Sequence, residues 1–345
     1  MRNQRIKTFY TPSQVLMEDY ETNYSKSPKK PELLLKYFEE HGLLSNFDVV
    51  GDFEPFTNDD FEIAHHKSYV KDFFTGGPRS TSNGLTWSKE FAETVRYTNA
   101  SIYNAIRNAV TNPSEVSFSP TSGFHHARPS NGSGFCTFSG QVIASIKIWR
   151  EFGLSGAYLD LDGHFGNSIE DSRDFAKGIN AAIPRGFNFN PVGTNDTYVE
   201  HLEKFLGELE TAILNNKIHY VVWCHGADSH QDDQLGHQCS TEHWVKCATI
   251  FWSWVKKMDN QLGKPLPVAC ALFGGYRDDD YNSVLSLHTA DFVECLTNLL
   301  DKKIKYTIEI IARKHYHYNY HEYSWENRKR MAKKTQRRLQ ERRQF

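Results

Sequence analysis

The chain has 345 residues, 39% hydrophobic and 14% aromatic, enough to fill the core of one large α/β unit. Its formal net charge of -2 excludes a wholly basic nucleic-acid binder. Cys136, Cys224, Cys239, Cys247, Cys270 and Cys295 form no C-x-x-C pair, which argues against a disulfide framework and for buried free thiols.

MRNQRIKTFY lacks the apolar stretch of a secretory signal, and no run approaches the roughly 18 apolar residues of a membrane span. A soluble cytoplasmic protein is expected. In chain order, Pro31 to His41 has helical spacing with a stop at Gly42, and Asn46 to Val50 reads as a strand. Phe91 to Val110 is a helix ending before Asn112-Pro113. Ser139 to Phe152 is a helix leading into the strand Gly156 to Leu161. The helix Tyr198 to Asn215 precedes the strand Ile218 to Cys224, and the helix Thr241 to Gln261 precedes the strand Pro267 to Phe273. A helix from Asp291 to Asp301 closes the pattern. Strand–helix alternation predicts a parallel sheet covered on both faces.

Three apolar strands run directly into polar or glycine-rich clusters: AYLDLDGHFGN, HYVVWCHGADSHQDD and VACALFGGYR. Ligands gather at the carboxyl ends of parallel strands, so three such clusters point to one composite site. Asp160, Asp162 and His164 alternate, which places their side chains on one face of an extended segment. Two carboxylates beside an imidazole are costly to bury unless a cation neutralises them, and Asp228 brings a further carboxylate. One His and two Asp make an open metal site with a position left for water. Taken singly, such residues more often cap loops or pair with Lys and Arg.

His125-His126 lies in TSGFHHARPSNGSGFC, a glycine- and serine-rich loop. Adjacent imidazoles can act as general base and electrostatic partner. The dipeptide alone is weak: His65-His66 repeats it in the charged context FEIAHHKSYV, and that pair is read as structural.

Gly123–Cys136, Tyr158–Asn167, Pro191–Asp196, Gly226–Gly236 and Gly274–Tyr276 follow the order of the motifs of the histone deacetylase and acetylpolyamine amidohydrolase family. GFHHARPSNGSGFC resembles its double-histidine loop, YLDLDGHFGN its metal strand, and GADSHQDDQLG its second aspartate loop. FGGY resembles its glycine–tyrosine turn, and PVGTND its proline–glycine–threonine loop. The resemblance implies a three-layer α/β/α fold of the arginase–deacetylase type, with one parallel sheet of about eight strands. It implies Asp162, His164 and Asp228 as ligands of one Zn2+, with Fe2+ as the alternative ion. His126 would be general base and acid, His125 would be tuned by Asp160, and Tyr276 would donate to the oxyanion. Gly134, Phe135, Pro191 and Gly275 would border the substrate, and Asp160 would also hold a structural K+ or Na+. Asn167 stands where some members place an aspartate, so the imidazolium of His126 should gain less support than theirs. Gly163 and Phe165 replace residues that are commonly aliphatic and histidine, and Ser139-Gly140 stands where Asn-Asp is frequent.

The implied reaction is hydrolysis of an N-acyl amide, with acyl-lysine or an acetylated polyamine or small amine as substrate. A zinc ion polarises the amide carbonyl and lowers the pKa of water from about 15.7 toward roughly 7. One alternative is a catalytically weak acyl-lysine binding protein on the same fold. Another is a binuclear manganese ureohydrolase, for which Phe165 and Asn167 lack the bridging carboxylates.

Residues 1–325 read as one catalytic domain and 326–345 as a basic tail, with nine Lys and Arg against two Glu from Glu326 onward. Any nucleic-acid contact is confined to that tail, which reads more simply as a solvated helix. HYHYNYHEY at His315–Tyr323 reads as a half-buried strand, with a homo-oligomer contact as the other reading.

Overall fold

The computed structural model describes residues 1–16 and 25–313; the tail after Glu326 and the His315–Tyr323 run lie outside these residues. Residues Met1–Ile311 form one compact unit. Its strands are β1 (Ile6–Phe9), β2 (Phe47–Val50), β3 (Val116–Ser119), β4 (Gly156–Asp160), β5 (Asn188–Phe189), β6 (Tyr220–Cys224) and β7 (Val268–Ala271). They form one sheet in the order β2-β1-β3-β7-β6-β4-β5, and every pairing is parallel. Among the described residues the sheet thus has seven strands where about eight were expected.

The helices are α1 (Lys30–Glu40), α2 (Asn58–Glu62), α3 (Lys67–Thr75), α4 (Lys89–Thr111), α5 (Gly140–Phe152), α6 (Ser168–Asp171), α7 (Ile179–Ala182), α8 (Asn195–Leu214), α9 (Thr241–Leu262) and α10 (Tyr281–Glu294). The last expected helix begins ten residues earlier than Asp291, because α10 carries straight on into a π-turn over Cys295–Leu299. None of these helices is long and apolar enough to cross a membrane. The long helices begin and end where local chemistry dictates. Ser88 Oγ accepts from Phe91 N–H to open α4, and Ser240 Oγ accepts from His243 N–H to open α9. Gly263, at φ 65°, ends α9 in the left-handed conformation.

Strand side chains alternate between two cores. Ala157, Leu159, Val221, Trp223, Val268 and Cys270 face a core shared with Phe38 of α1, Leu206 of α8, Phe251 of α9 and Leu285 of α10. Tyr158, Tyr220, Val222, Ala269 and Ala271 face the other, with Phe73 of α3, Ile106 of α4, Ile146 of α5 and Ile179 of α7. Helices therefore cover both faces of the sheet, and full burial of each large apolar side chain contributes about 1.5–3 kcal/mol. The six cysteines are all buried and free.

Strand register sets up the site. Ser119 pairs with Ala271, Ala271 with Cys224, and Cys224 with Asp160. Four adjacent central strands end level with one another, so the loops that leave them start from one row.

Candidate metal centre

The loop after β4 bends back on its own backbone. Asp160 Oδ1 accepts from Asp162 N–H at 3.2 Å, and Asp162 Oδ1 accepts from His164 N–H at 2.8 Å. These turns aim Asp162 and His164 at the loop following β6, where Asp228 sits on a short 3-10 turn, Ala227–Ser229. His164 Nδ1 lies 3.1 Å from Asp162 Oδ1 and 2.8 Å from Asp228 Oδ2. Gly163 N–H donates to Asp228 Oδ1 at 2.9 Å, and Gly274 N–H, after β7, donates to Asp162 Oδ2 at 2.8 Å. Three separate loops thus meet at one point.

Four glycines crowd Asp228. A Cβ on Gly226 would come 2.5 Å from its Oδ1, one on Gly163 would come 2.9 Å from its carbonyl oxygen, and one on Gly236 or Gly274 would also collide with it. Asp228 is fully buried and Asp162 only 6% exposed. Burial and the neighbouring Asp162 carboxylate push Asp228 up to about 6. Burial opposes the charged form of His164, yet its bonds to Asp162 and Asp228 hold it well above the ordinary imidazole range. The pair of buried carboxylates requires a positive partner here.

The donor atoms of Asp162, His164 and Asp228 lie within 4.8 Å of one another, the one such convergent group among the described residues. Two carboxylate oxygens and one imidazole nitrogen, with no fourth donor in the group among the described residues, fit a divalent ion that keeps an open coordination position.

The loop after β3 brings the two adjacent histidines. His125 Nδ1 lies 2.9 Å from Asp160 Oδ2, and its Nε2 lies 3.6 Å from Asp162 Oδ2. Burial would depress His125, but Asp162 and Asp160 outweigh it and raise it to about 9. His126 behaves oppositely: burial and the charge of His125 lower it to about 3. Its Nδ1 donates to Asn167 Oδ1 at 2.9 Å, because Asn167 Nδ2 is committed to Asp171 Oδ2 at 2.7 Å. That orientation leaves the Nε2 lone pair of His126 available. Gly134, at φ 50°, lies against this ring; a Cβ there would come 2.6 Å from His126 Cδ2.

Tyr276 closes the site from the β7 side, its ring 6.2 Å from that of His164 and 5.6 Å from that of Phe135. Its N–H donates to Asp233 Oδ2 at 2.6 Å, and Asp233 Oδ1 accepts from Leu235 and Gly236. Asp162, His125, Tyr276, Gly134 and Phe135 border one pocket, about 220 Å³ of empty space with part of it open to solvent. Of the remaining expected residues, Gly275 packs toward Val284 and Ala227, and Gly274 takes the place on the cavity wall. Pro191 is not on that wall; its neighbour Asn190 accepts from Gly166 N–H at 2.7 Å, beside the metal strand.

Two positions escaped the sequence reading. Asp233 is one of two adjacent acids in HQDDQ, and nothing in that run marks it as the brace of Tyr276. Lys30, 1% exposed, donates from Nζ to the Phe273 carbonyl at 2.5 Å, under the turn that carries Gly274. Burial lowers it to about 8, against the pull of Asp228, Asp162 and Asp233. In SPKKPELL it has the look of a surface lysine.

Comparison with known proteins agrees with this architecture. The histone deacetylase domain matches residues 24–180, which hold the two histidines, Asp160, Asp162, His164 and Asn167; Asp228 and Tyr276 lie beyond the matched stretch. Histone deacetylase 8 of Xenopus tropicalis is 24% identical over 168 residues, 45% of this chain and 44% of the relative. Histone deacetylase 8 of Danio rerio is 24% identical over 191 residues, 52% and 49% of the two chains. The chain therefore spans about half the length of these curated relatives. Among solved structures, the HDA15 HD domain superposes with a TM-score of 0.65 at 14% identity, covering 87% of this chain and 90% of that one. The fold is the α/β arginase–deacetylase type.

Proposed function

We propose that this chain is a member of the histone deacetylase family and that it hydrolyses the N-acyl amide of an acylated lysine, polyamine or other small amine, a reading supported by the domain match and the similar relatives. The observation that carries this reading is the meeting of Asp162, His164 and Asp228 opposite His126 and Tyr276. Asp162, His164 and Asp228 would hold one Zn2+, which when bound polarises the acyl carbonyl and lowers the pKa of water toward about 7. Asp160 would in addition hold a monovalent cation.

The chain's own groups divide the remaining work. His126 Nε2 takes the proton that the attacking water loses and passes it to the departing amine nitrogen. Asn167 and Asp171 hold the ring in the tautomer that can do so. His125, charged between Asp160 and Asp162, keeps its neighbour neutral until the proton arrives. The Tyr276 phenol donates to the oxygen on which negative charge develops, and Asp233 holds its backbone in place. The exposed Gly134 and the ring of Phe135 border the substrate. A single three-donor group among the described residues favours one ion per chain over a binuclear ureohydrolase centre.

The reading is tested by turnover of acetyl-lysine peptides and acetylated polyamines with purified protein. Chelation abolishes turnover, one equivalent of zinc restores it, and Asp228→Ala removes both zinc binding and activity. Turnover that survives Asp228→Ala would refute the proposal.

A further inference from the structure

Tyr276 stands between unlike neighbours. Gly274 and Gly275 precede it, and Gly275 sits at φ 149°, so the backbone on that side has a freedom only glycine provides. Arg277 follows it and is held from several directions. Its side chain is only 3% exposed. Nε and Nη2 donate to the two carboxylate oxygens of Asp279 at 2.7 and 2.9 Å, and Nη1 and Nη2 both donate to the Ile311 carbonyl at 3.1 Å. Burying a guanidinium is costly without such acceptors, and its planar fork can meet a carboxylate edge and a carbonyl together.

Ile311 ends an extended strap, residues 302–311. Along residues 302–310 half-buried and exposed positions alternate. Ile304, Tyr306, Ile308 and Ile310 pack against the core, with the Tyr306 hydroxyl 2.8 Å from Ser286 Oγ of α10 and 3.4 Å from the Tyr37 hydroxyl of α1. Ser286 Oγ also accepts from Glu309 N–H at 2.8 Å, and Ser283 Oγ accepts from Ile311 N–H at 3.0 Å. Ile311 is therefore gripped at its amide by Ser283 and at its carbonyl by Arg277, 34 positions away in the chain. On the other side of the turn, Tyr276 N–H is bound to Asp233 and the Tyr276 carbonyl accepts from Gln234 N–H at 3.0 Å. The strap thus anchors the one flank of Tyr276 that glycine does not loosen.

We infer that Arg277 is a positioning residue: bound to the Ile311 end of the strap, it fixes the backbone of Tyr276 so that the phenol meets the oxygen on which negative charge develops. The inference rests on the deacylase reading above and adds the residue that aims its oxyanion donor. An interaction made only in the transition state acts on kcat and leaves substrate binding alone.

Two measurements on the full chain test it. The first is a double-mutant cycle on an acetyl-lysine peptide. Arg277→Met keeps the stem, removes the fork, and lowers kcat at least tenfold with KM within about twofold of the parent. In a Tyr276→Phe background the same substitution costs less than about twofold, because the phenol through which it acts is gone. Equal losses in the two backgrounds, or an unaltered kcat in the parent, overturn the assignment. Ser283→Ala releases the Ile311 amide while leaving Arg277 in place; it lowers kcat at least threefold, again only where Tyr276 is present. Should Arg277→Met not fold, the cycle with Ser283→Ala decides. The second measurement needs no turnover. The amides of Tyr276 and Gln234 exchange with solvent at least tenfold faster in Arg277→Met or Ser283→Ala than in the parent, while that of Val222 in β6 is unchanged, as local opening requires. Unchanged exchange at Tyr276 overturns the assignment. The two readings fail separately: a parent chain that turns over no peptide removes the deacylase reading, and amide exchange still decides the role of Arg277.

Discussion

The molecule contains two His-His dipeptides, and their surroundings give them opposite chemistry. His125 and His126 have a carboxylate and an amide as partners, Asp160 and Asn167. His65 has only backbone: its Nδ1 donates to the Arg128 carbonyl at 2.9 Å and its Nε2 accepts from Ser139 N–H at 2.9 Å. His66 starts α3 and packs its ring 4.4 Å from Phe175. Arg128 and Ser139 lie on either side of the loop's turn through Gly134. The buried member of one pair is therefore a staple for the loop that carries the other. An imidazole becomes chemical or architectural according to whether its partner's charge can respond to its own.

Alanine substitutions break this contrast most directly. His126→Ala lowers kcat by about 10²–10⁴, the range for loss of a general acid–base group. His66→Ala leaves turnover of the same peptide within a few-fold of the parent. Equal losses in the two variants would erase the distinction. Tyr276→Phe comes next: it keeps the ring, removes the phenol and lowers kcat by about 10²–10³, with binding of a non-hydrolysable acyl-lysine analogue little changed.

The staple is tested by stability. His65→Ala strands a buried N–H and a buried C=O and costs about 1–3 kcal/mol, read from denaturant midpoints at constant slope. Its pH dependence has a definite sign. Burial lowers His65 to about 3 in the folded state, below its ordinary value of about 6.5. Its contribution is complete above pH 6.5 and is lost as the pH falls toward 3. Parent and His65→Ala stabilities should therefore converge on acidification through that window, as chemical denaturation at stepped pH will show.

The smallest effect sharpens the comparison from within the catalytic pair. Asn167→Asp puts a carboxylate against His126 Nδ1 and raises the pKa of that imidazole. The group must be neutral to accept a proton, so the acid limb of the kcat/KM profile moves upward, by about one unit. The gain is held down because Asp171, which now accepts from Asn167, would face a like charge.

Much of this site was legible because its chemistry is periodic. Asp160, Asp162 and His164 alternate on an extended segment, and three clusters mark the ends of β4, β6 and β7. The fourth member of the level row, β3, went unread: Ser117 and Ser119 interrupt its apolar pattern, and both are buried, Ser119 Oγ hydrogen-bonding Ser101 and Thr121. β1 and β5 span only four and two residues, too few for alternation to register. The expected strand count of about eight exceeded the seven found among the described residues, since a strand total depends on such short pieces. Lys30 was invisible for another reason. Its burial is decided by a carbonyl 243 positions away, and no local pattern encodes that contact.

The glycines packed around Asp228 have a consequence for how the centre loads. A carboxylate on a mobile loop must surrender its rotamers when it grips an ion, and the affinity is reduced by that ordering. Here the backbone of Gly226 and Gly274 closes on the carboxylate itself, and that of Gly163 and Gly236 closes on the carbonyl of the same residue. The ordering is completed when the chain folds, before any ion arrives. An alanine at position 226 or 274 should weaken ion capture by dislodging a carboxylate to which it never bonds.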